Sequence, residues 1–193
     1  MRIIAGTAKG RKLFPPRDRT IRPTSDRARE AVFNILDKEV VGAKVLDLFA
    51  GTGALGLEAL SRGARQAVFI DLAKAAVTLI KKNVLLCGFS EQSLIIQRDL
   101  RKGLFFLQEF VAGEPFNLIF LDPPYGQGLG LEILNNIGRM QLLAANGQVV
   151  VEEETWAALP QRAGGLVLSD HRCYGEAGIW FYTWNKEKNN DCQ

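Results

Sequence analysis

Residues 44–56 read KVLDLFAGTGALG, an apolar run that leads directly into a G-x-G-x-x-G loop. Glycine at positions 51, 53 and 56 allows a tight turn and lets the backbone approach a bound ligand closely. The residues after position 54 continue with a helical pattern. This order predicts a β-strand, a ligand-binding loop and the start of a helix in direct succession.

Downstream of this loop, short apolar runs alternate with helical patterns. The runs are QAVFID at 66–71, SLIIQ at 93–97, FNLIFLD at 116–122 and GQVVVEEE at 147–154, and helices are expected after 54, through 77–84, near 101–111 and near 129–140. Such alternation is typical of a parallel sheet that helices cover on both faces. We expect the strand order 3-2-1-4-5, with ligands bound at the carboxyl ends of the strands.

The last two apolar runs follow each other without room for a helix. LVLSDHRCY at 166–174 and GIWFYTW at 178–184 are therefore expected to pair as an antiparallel hairpin. The chain is assigned to the α/β class, with a Rossmann-like, mostly parallel seven-stranded sheet that ends in this C-terminal antiparallel hairpin.

The first thirty residues concentrate the positive charge: they hold nine Lys and Arg against three Asp and Glu, whereas the whole chain has a net charge of only +3. Clustered cations neutralise phosphates and release their counterions, which is the sequence-independent part of nucleic-acid affinity. We interpret residues 1–23 as a basic phosphate-binding arm, 24–185 as a catalytic domain and 186–193 as a polar tail.

Within the N-terminal part, the alternation around Gly6 and Gly10 predicts a short hairpin. A helix is expected to begin near Thr24–Asp26, because Ser, Thr and Asp favour helix starts. Its predicted apolar face consists of Ala28, Val32, Ile35 and Leu36, which leaves Arg22, Arg27 and Arg29 near the start to face a ligand.

Carboxylates at the ends of the first three predicted strands are the candidate cofactor ligands. Asp71 follows Gly51 by 20 residues, where a carboxylate can accept hydrogen bonds from ribose hydroxyls. Asp47 suits a ligand with an ammonium group and therefore favours S-adenosylmethionine over a dinucleotide, although it could instead bond to the following loop. Asp99 could contact an adenine or cap the next helix. The candidate cofactor-binding residues are Asp47, Phe49, Gly51, Gly53, Asp71 and Asp99.

The tetrapeptide Asp122-Pro-Pro-Tyr125 directly follows the predicted strand FNLIFL. The two prolines hold Asp122 and Pro123 extended, so the Asp122 carboxylate and the Pro123 carbonyl can each accept a hydrogen from an exocyclic amine. This draws the nitrogen toward tetrahedral geometry and turns its lone pair toward a methyl sulfonium. Tyr125 would stack on a base that is unpaired or flipped out. We therefore take Asp122, Pro123 and Tyr125 as the candidate catalytic residues.

Four stretches together resemble the bacterial RsmD-type methyltransferases, which modify guanine N2 in 16S ribosomal RNA: 2–6 with 10–13, RPTSDRARE at 22–30, 47–62 and DPPY at 122–125. The resemblance implies a class I methyltransferase fold, S-adenosylmethionine as cofactor, and ribosomal RNA or a small-subunit assembly particle as partner. Residues 1–23 then become an RNA-binding arm. The candidate RNA contacts are Arg11, Lys12, Arg22, Thr24, Arg27 and Arg29. The family usually has a second carboxylate two residues after the Asp71 position, where this chain has Ala73.

Several classes are disfavoured by the sequence. The three cysteines and single histidine show no metal-ligand or disulfide spacing, and no signal peptide or bilayer-spanning run is present, so we expect no metal, no membrane association and a cytoplasmic location. A DNA adenine-N6 or cytosine-N4 methyltransferase and a non-catalytic RNA-binding, ribosome-assembly protein remain the alternatives. The first would need a large target-recognition domain, and the second has no use for an intact DPPY.

Overall fold

A parallel sheet with helices on both faces forms the body of the protein. The computed structural model describes residues 1–16, 26–111, 113–124, 126 and 128–185. The strands are β1 Lys44–Leu48, β2 Gln66–Asp71, β3 Ser93–Gln97, β4 Phe116–Leu121, β5 Leu143–Glu154, β6 Arg162–Ala163, β7 Leu166–Tyr174 and β8 Ala177–Trp184. The α-helices are α1 Asp26–Leu36, α2 Ala54–Ser61, α3 Lys74–Cys87, α4 Gln108–Val111 and α5 Leu129–Arg139.

The strand order is β3-β2-β1-β4-β5-β8-β7-β6. Strands β1 to β5 are mutually parallel, whereas β8 is antiparallel to β5 and β7 pairs with β8 as a hairpin. These findings confirm the predicted class, the order 3-2-1-4-5 and the C-terminal hairpin. The described part of the sheet has eight strands instead of seven, because the two-residue β6 adds to the edge beside β7.

The core has one layer on each face of the sheet. One layer packs α1, α2 and α3 against strand residues such as Val45, Phe69 and Phe120, while the other packs α5 against Leu46, Ile70 and Leu121. Alternate residues of a strand point to opposite faces, so strands buried on both sides read as continuous apolar runs. This is why β1, β2 and β4 are evident in the sequence.

Two local expectations were wrong. Where a helix was expected near 101–111, the chain makes two single 3-10 turns, Leu100–Lys102 and Phe105–Leu107, before the four-residue α4. Gly103 at φ 93° separates the turns, because this backbone conformation cannot continue a right-handed helix. On α1, Ile35 is 40% exposed, and Phe33 is buried in its place.

The N-terminal residues pair as a hairpin and pack onto the body of the protein. Arg2 and Lys12 form an antiparallel bridge, and Ile3, Ala8 and Leu13 belong to the core layer that contains α2. The Gly6 backbone passes so close to α2 that a Cβ there would lie 1.7 Å from the Ser61 carbonyl oxygen. Residues 1–16 are thus part of the folded body, whereas the expected boundary at residue 23 lies outside the described residues.

Candidate active site

The glycine loop connects β1 to α2 through three residues of left-handed backbone. Phe49, Gly51 and Gly53 have φ angles of 60°, 56° and 77°. A Cβ on Gly51 would meet only the Phe49 carbonyl oxygen at 3.9 Å, so this glycine borders open space. The loop therefore leaves room for a ligand against the Gly51 backbone, whereas a Cβ on Gly53 would touch core side chains, among them Ile80 at 3.4 Å.

Gly56 has a packing role that involves Asp47. A Cβ on Gly56 would lie 2.3 Å from the Phe69 ring and 3.1 Å from the Asp47 carboxylate. The Gly56 amide donates a 2.9 Å hydrogen bond to Asp47 Oδ2, and Asp47 is only 2% exposed. The third glycine thus allows α2 to contact the sheet closely, and the Asp47 carboxylate makes the bond to the following loop that the sequence left as an alternative.

Asp71 ends β2 beside the same loop. Its Oδ2 accepts the Gly51 amide at 2.9 Å, and its Oδ1 accepts the Ala73 amide at 2.8 Å. Each carboxylate oxygen has a second lone pair, so these bonds orient the group and leave acceptor capacity for a ligand hydroxyl. The structure therefore places Asp71 and Gly51, as expected, at one site.

Asp99 follows β3 and caps the turn after it. The carboxylate accepts the Arg101 amide at 3.1 Å and pairs with the Arg101 guanidinium at 2.8 and 2.9 Å. These contacts keep the pKa of Asp99 below its usual value, with the Arg101 side chain as the main cause. The capping alternative is therefore realised, and a contact between Asp99 and an adenine stays a prediction.

Asp122 and Pro123 lie at the carboxyl end of β4, next to the end of β1. Leu48 of β1 is registered with Leu121 of β4, and the Asp122 amide lies 3.5 Å from the Leu48 carbonyl oxygen. Asp122 is partly buried and Pro123 is buried. This pairing brings the Asp122–Pro123 segment beside the glycine loop, as the strand order predicts. Tyr125 lies outside the described residues.

Several carboxylates share this edge of the sheet and disfavour one another's ionisation. Burial raises the pKa of Asp122 well above its usual value, and Glu152, Asp47 and Glu153 raise it further. Burial also raises the pKa of Asp47 to about 7, with Asp71 adding to the rise and the Gly56 amide opposing it. The arrangement suits a ligand that carries positive charge, because such a ligand offsets the repulsion between the carboxylates.

Glu152 and Glu153 were missed by sequence reasoning, which treated 147–154 only as a strand. They are 6% and 5% exposed at the end of β5, the strand next to β4. A signal was present, because charged residues that directly follow a run of buried valines at a strand end are placed at the ligand-binding edge.

The structure separates the arginines at the start of α1. Arg27 is exposed, whereas Arg29 is 0% exposed, so the expectation that Arg29 faces RNA is wrong. The Arg29 guanidinium donates to the Arg2 carbonyl oxygen at 2.5 Å and to Asp26 at 3.0 Å, and it lies 3.9 Å from Glu58. Arg29 therefore fastens α1 to the hairpin and α2.

The remaining candidate RNA contacts lie on the surface or outside the described residues. Arg11 and Lys12 are exposed on the hairpin, and the Arg11 guanidinium donates to the Leu86 carbonyl oxygen of α3. Arg22 and Thr24 fall in the part that is not described. Lys12 and Arg27 therefore present their charge to solvent, as a phosphate contact requires.

The sequence predicts neither a metal site nor a membrane-spanning segment, and the structure bears on these predictions only where it describes the chain. Within the residues that the structure describes, no group of three or more His, Cys, Asp or Glu could hold a metal ion. No helix among them has the length and apolar character needed to cross a bilayer.

Comparisons with known proteins agree with this geometry. A family model described as "Conserved hypothetical protein 95" matches residues 1–183. The chain is 35% identical over 191 residues to Ribosomal RNA small subunit methyltransferase D of Escherichia coli K12, covering 99% of this chain and 93% of that protein. It is also 35% identical over 178 residues to the Haemophilus influenzae protein of the same name, covering 86% of this chain and 90% of that protein.

Solved structures show the same architecture. The Escherichia coli protein yhhF has a TM-score of 0.80 at 35% identity, covering 96% of this chain and 98% of that chain. An RNA methyltransferase from Salinibacter ruber, solved with S-adenosyl-L-homocysteine, has a TM-score of 0.64 and covers 89% of this chain and 99% of that chain. At 15% identity the second match shows the fold alone.

The parallel sheet, its glycine loop and the acidic edge define a class I methyltransferase, and the cofactor of this class is S-adenosylmethionine. Within that class, the chain belongs to the family described as Conserved hypothetical protein 95, the RsmD-type methyltransferases. The resemblance found in the sequence is thereby confirmed.

Proposed function

We propose that this protein transfers a methyl group from S-adenosylmethionine to the exocyclic N2 of a guanine in 16S ribosomal RNA. The observation that carries the proposal is the position of Asp122 and Pro123, which β1–β4 pairing holds beside the glycine loop. The names of the relatives, Ribosomal RNA small subunit methyltransferase D, support ribosomal RNA as the substrate. A cytoplasmic location follows from that substrate.

The cofactor residues are proposed as follows. Gly51 and Gly53 shape the loop, and Phe49 precedes them in a left-handed backbone conformation. Asp71 accepts a ribose hydroxyl. Asp99 borders the adenine, since it follows β3, which ends at the same edge of the sheet as β2. Asp47 acts through its negative charge, since its Oδ2 already accepts the Gly56 amide. S-adenosylmethionine, when bound, supplies the electrophilic methyl group.

Asp122 has two roles in the proposed reaction. Its carboxylate and the Pro123 carbonyl each accept one hydrogen of the guanine amine, which frees the nitrogen lone pair for attack. With S-adenosylmethionine bound, forming the nitrogen–methyl bond would break the methyl–sulfur bond and leave S-adenosyl-L-homocysteine, and one N–H proton would pass to the Asp122 carboxylate. The raised pKa of Asp122 favours this transfer, because a more basic carboxylate is a better proton acceptor.

RNA binding is proposed to use the basic residues of the hairpin and of the start of α1. Arg11, Lys12 and Arg27, with Arg22 and Thr24, contact phosphates and position the RNA. Tyr125 stacks on the target guanine after it leaves the base stack. Tyr125→Phe should retain most activity, whereas Tyr125→Ala should lose about 1 to 3 kcal/mol of stacking.

Transfer of a labelled methyl group tests the proposal. The substrates are 16S ribosomal RNA and small-subunit particles from cells that lack the enzyme, with 23S RNA and duplex DNA as controls. Label in N2-methylguanosine after nucleoside analysis is the expected result. Label in N6-methyladenine or N4-methylcytosine of DNA would establish the DNA alternative, and binding to small-subunit particles without any transfer would establish the non-catalytic one.

A further inference from the structure

A cavity of about 320 Å³ lies where α1 begins beside the β7–β8 turn. Among the described residues it is lined by Arg27, Cys173, Tyr174 and Gly175. Its volume is at the lower end of the range for sites that bind small ligands. Apart from Arg27, the lining residues have no part in the proposed cofactor, catalytic or RNA contacts.

The cavity is on the same edge of the sheet as the proposed catalytic residues. Asp122 directly follows β4, and Glu154 is the last residue of β5. Because β4 and β5 are parallel, both residues lie at the same edge of the sheet. Ala177, the first residue of β8, is registered with Glu154, and this places the β7–β8 turn there as well. A substrate strand that enters at Asp122 can therefore reach the cavity without crossing the protein.

The lining offers a cation and an aromatic ring together. Arg27 is exposed, and its guanidinium can contact a phosphate with two parallel hydrogen bonds. Tyr174 is partly buried, and its ring packs against the core layer that contains α1. The core thus holds the ring in place while part of it remains open to the cavity. A cation beside a fixed aromatic ring is the combination that binds single-stranded nucleic acid.

A second aromatic side chain stands next to this turn. Trp156 is 68% exposed, although large aromatic side chains are usually buried. It follows Thr155, whose amide donates a 3.0 Å hydrogen bond to the Glu176 carbonyl oxygen of the β7–β8 turn. This bond places the backbone of Trp156 near the β7–β8 turn, and an exposed indole at a ligand-binding edge has a free face for a base.

We propose that this cavity binds a nucleotide that flanks the target guanine in unpaired RNA. Arg27 contacts its phosphate, the base stacks on Tyr174, and Trp156 stacks on a further base of the same strand. The inference rests on the proposed function, because it takes RNA as the substrate. An enzyme that flips its target gains from holding the neighbouring nucleotides, since their stacking compensates for the stacking that the target loses.

Binding of a simple RNA tests the site apart from catalysis. The probe is a fluorescently labelled decamer of uridine, with an abasic decamer of the same charge for comparison. We expect Tyr174→Ala and Trp156→Ala each to weaken binding of the uridine decamer about 5-fold or more, as the loss of one stacked base gives. Binding of the abasic decamer should not change.

Further variants separate the contribution of the Arg27 charge from that of the Tyr174 ring. Arg27→Ala should lower the slope of log affinity against log salt by about 0.7, the value for one phosphate of a single strand. Arg139→Ala is the matched control, because Arg139 is an exposed arginine at the end of α5, on the opposite edge of the sheet. Tyr174→Phe keeps the ring and should bind as the wild type does. Thermal unfolding checks that each variant is folded.

The kinetics of methyl transfer to 16S RNA are a second measurement of the site. The Tyr174→Ala and Trp156→Ala variants should raise KM about 5-fold or more with a smaller change in kcat. If both keep wild-type affinity and KM while the wild type methylates RNA, the inference is wrong and the proposed function stands. If the wild type methylates no RNA, the proposed function fails. The cavity assignment is overturned independently if Trp156→Ala and Arg27→Ala leave the affinity for the uridine decamer unchanged.

Discussion

The N-terminal hairpin and the carboxyl edge of the sheet both pack against buried carboxyl groups. The ionised form is stabilised by its partners in the first region and disfavoured by its neighbours in the second. At the hairpin, the buried Glu58 carboxylate accepts the Ile4 amide at 2.7 Å, the Ala5 amide at 3.0 Å and Arg62 at 2.8 Å. At the carboxyl edge, burial and neighbouring carboxylates raise the pKa of both Asp47 and Asp122. Paired charge stabilises the fold, whereas charge that repels its neighbours favours a cationic ligand.

The largest effect is expected for Glu58→Ala, which tests whether the hairpin region is structural. Removing one partner of a buried pair leaves Arg29 buried without it, and we expect a loss of about 3 to 5 kcal/mol in the free energy of unfolding. Urea unfolding measures this, with the exposed Glu91→Ala as control. A variant of wild-type stability would show that Glu58 does not hold the hairpin.

Asp47→Asn tests the repulsion at the carboxyl edge. The pKa of Asp47 is raised from 3.8 to about 7 in the folded protein, so the folded state holds a proton that the unfolded state has lost. The stability contributed by this group is therefore present below pH 4 and is lost as the pH rises to about 7. The shift corresponds to at most about 4 kcal/mol.

The Asp47→Asn side chain has no charge at any pH, so the variant without cofactor should be more stable than the wild type at pH 8 and similar to it at pH 4. Thermal unfolding across this range measures the difference. With saturating S-adenosylmethionine the advantage at pH 8 should shrink, because the wild-type carboxylate then has a cationic neighbour. Parallel pH profiles for the two proteins would contradict the raised pKa.

Asp122→Ala tests whether the carboxyl edge takes part in methyl transfer. The variant loses an acceptor for the amine hydrogens, and kcat should fall about 100-fold or more, near 2.7 kcal/mol of barrier, while cofactor binding and folding survive. Single-turnover methylation separates chemistry from product release. Wild-type turnover would exclude Asp122 from the catalytic site.

The smallest effect concerns the surface of the hairpin. Arg11→Ala combined with Lys12→Ala should weaken RNA binding and lower its salt dependence by roughly one unit of slope for each lost phosphate contact. The affinity for S-adenosylmethionine should not change. Lys38→Ala serves as control, because Lys38 is exposed and lies two residues after the end of α1. An unaltered slope would mean that these two residues are only solvated surface.

Local patterns in the sequence predicted what a short stretch of chain decides. The strands β1, β2 and β4 are apolar throughout most of their length, and the glycine loop and the Asp122 tetrapeptide each follow one of them directly. Their positions then follow from the strand order, because the ends of parallel strands meet at one edge. The fold and the positions of the candidate site residues could therefore be predicted together.

Features that depend on distant partners could not be predicted in this way. Arg29 shares a helix face with Val32, Phe33 and Leu36 at spacings of three, four and seven. An arginine can be buried there because Arg2 of the hairpin and Glu58 of α2 lie opposite. No local pattern reports that pairing. The cavity is similar, since Arg27 and Tyr174 are brought together only when the β7–β8 hairpin packs beside α1.

The anchoring of the hairpin has a consequence for how the chain is made. The Ile4 and Ala5 amides bond to Glu58, and the Phe14 amide bonds to Asn83 at 2.8 Å, which lies 69 residues later in the chain. At the usual rates of synthesis, these hairpin residues are made roughly 3 to 14 s before their partners. During that interval a basic, partly apolar segment stays undocked next to ribosomal RNA. The first part of the chain to be synthesised thus reaches its final position only after later residues have been made.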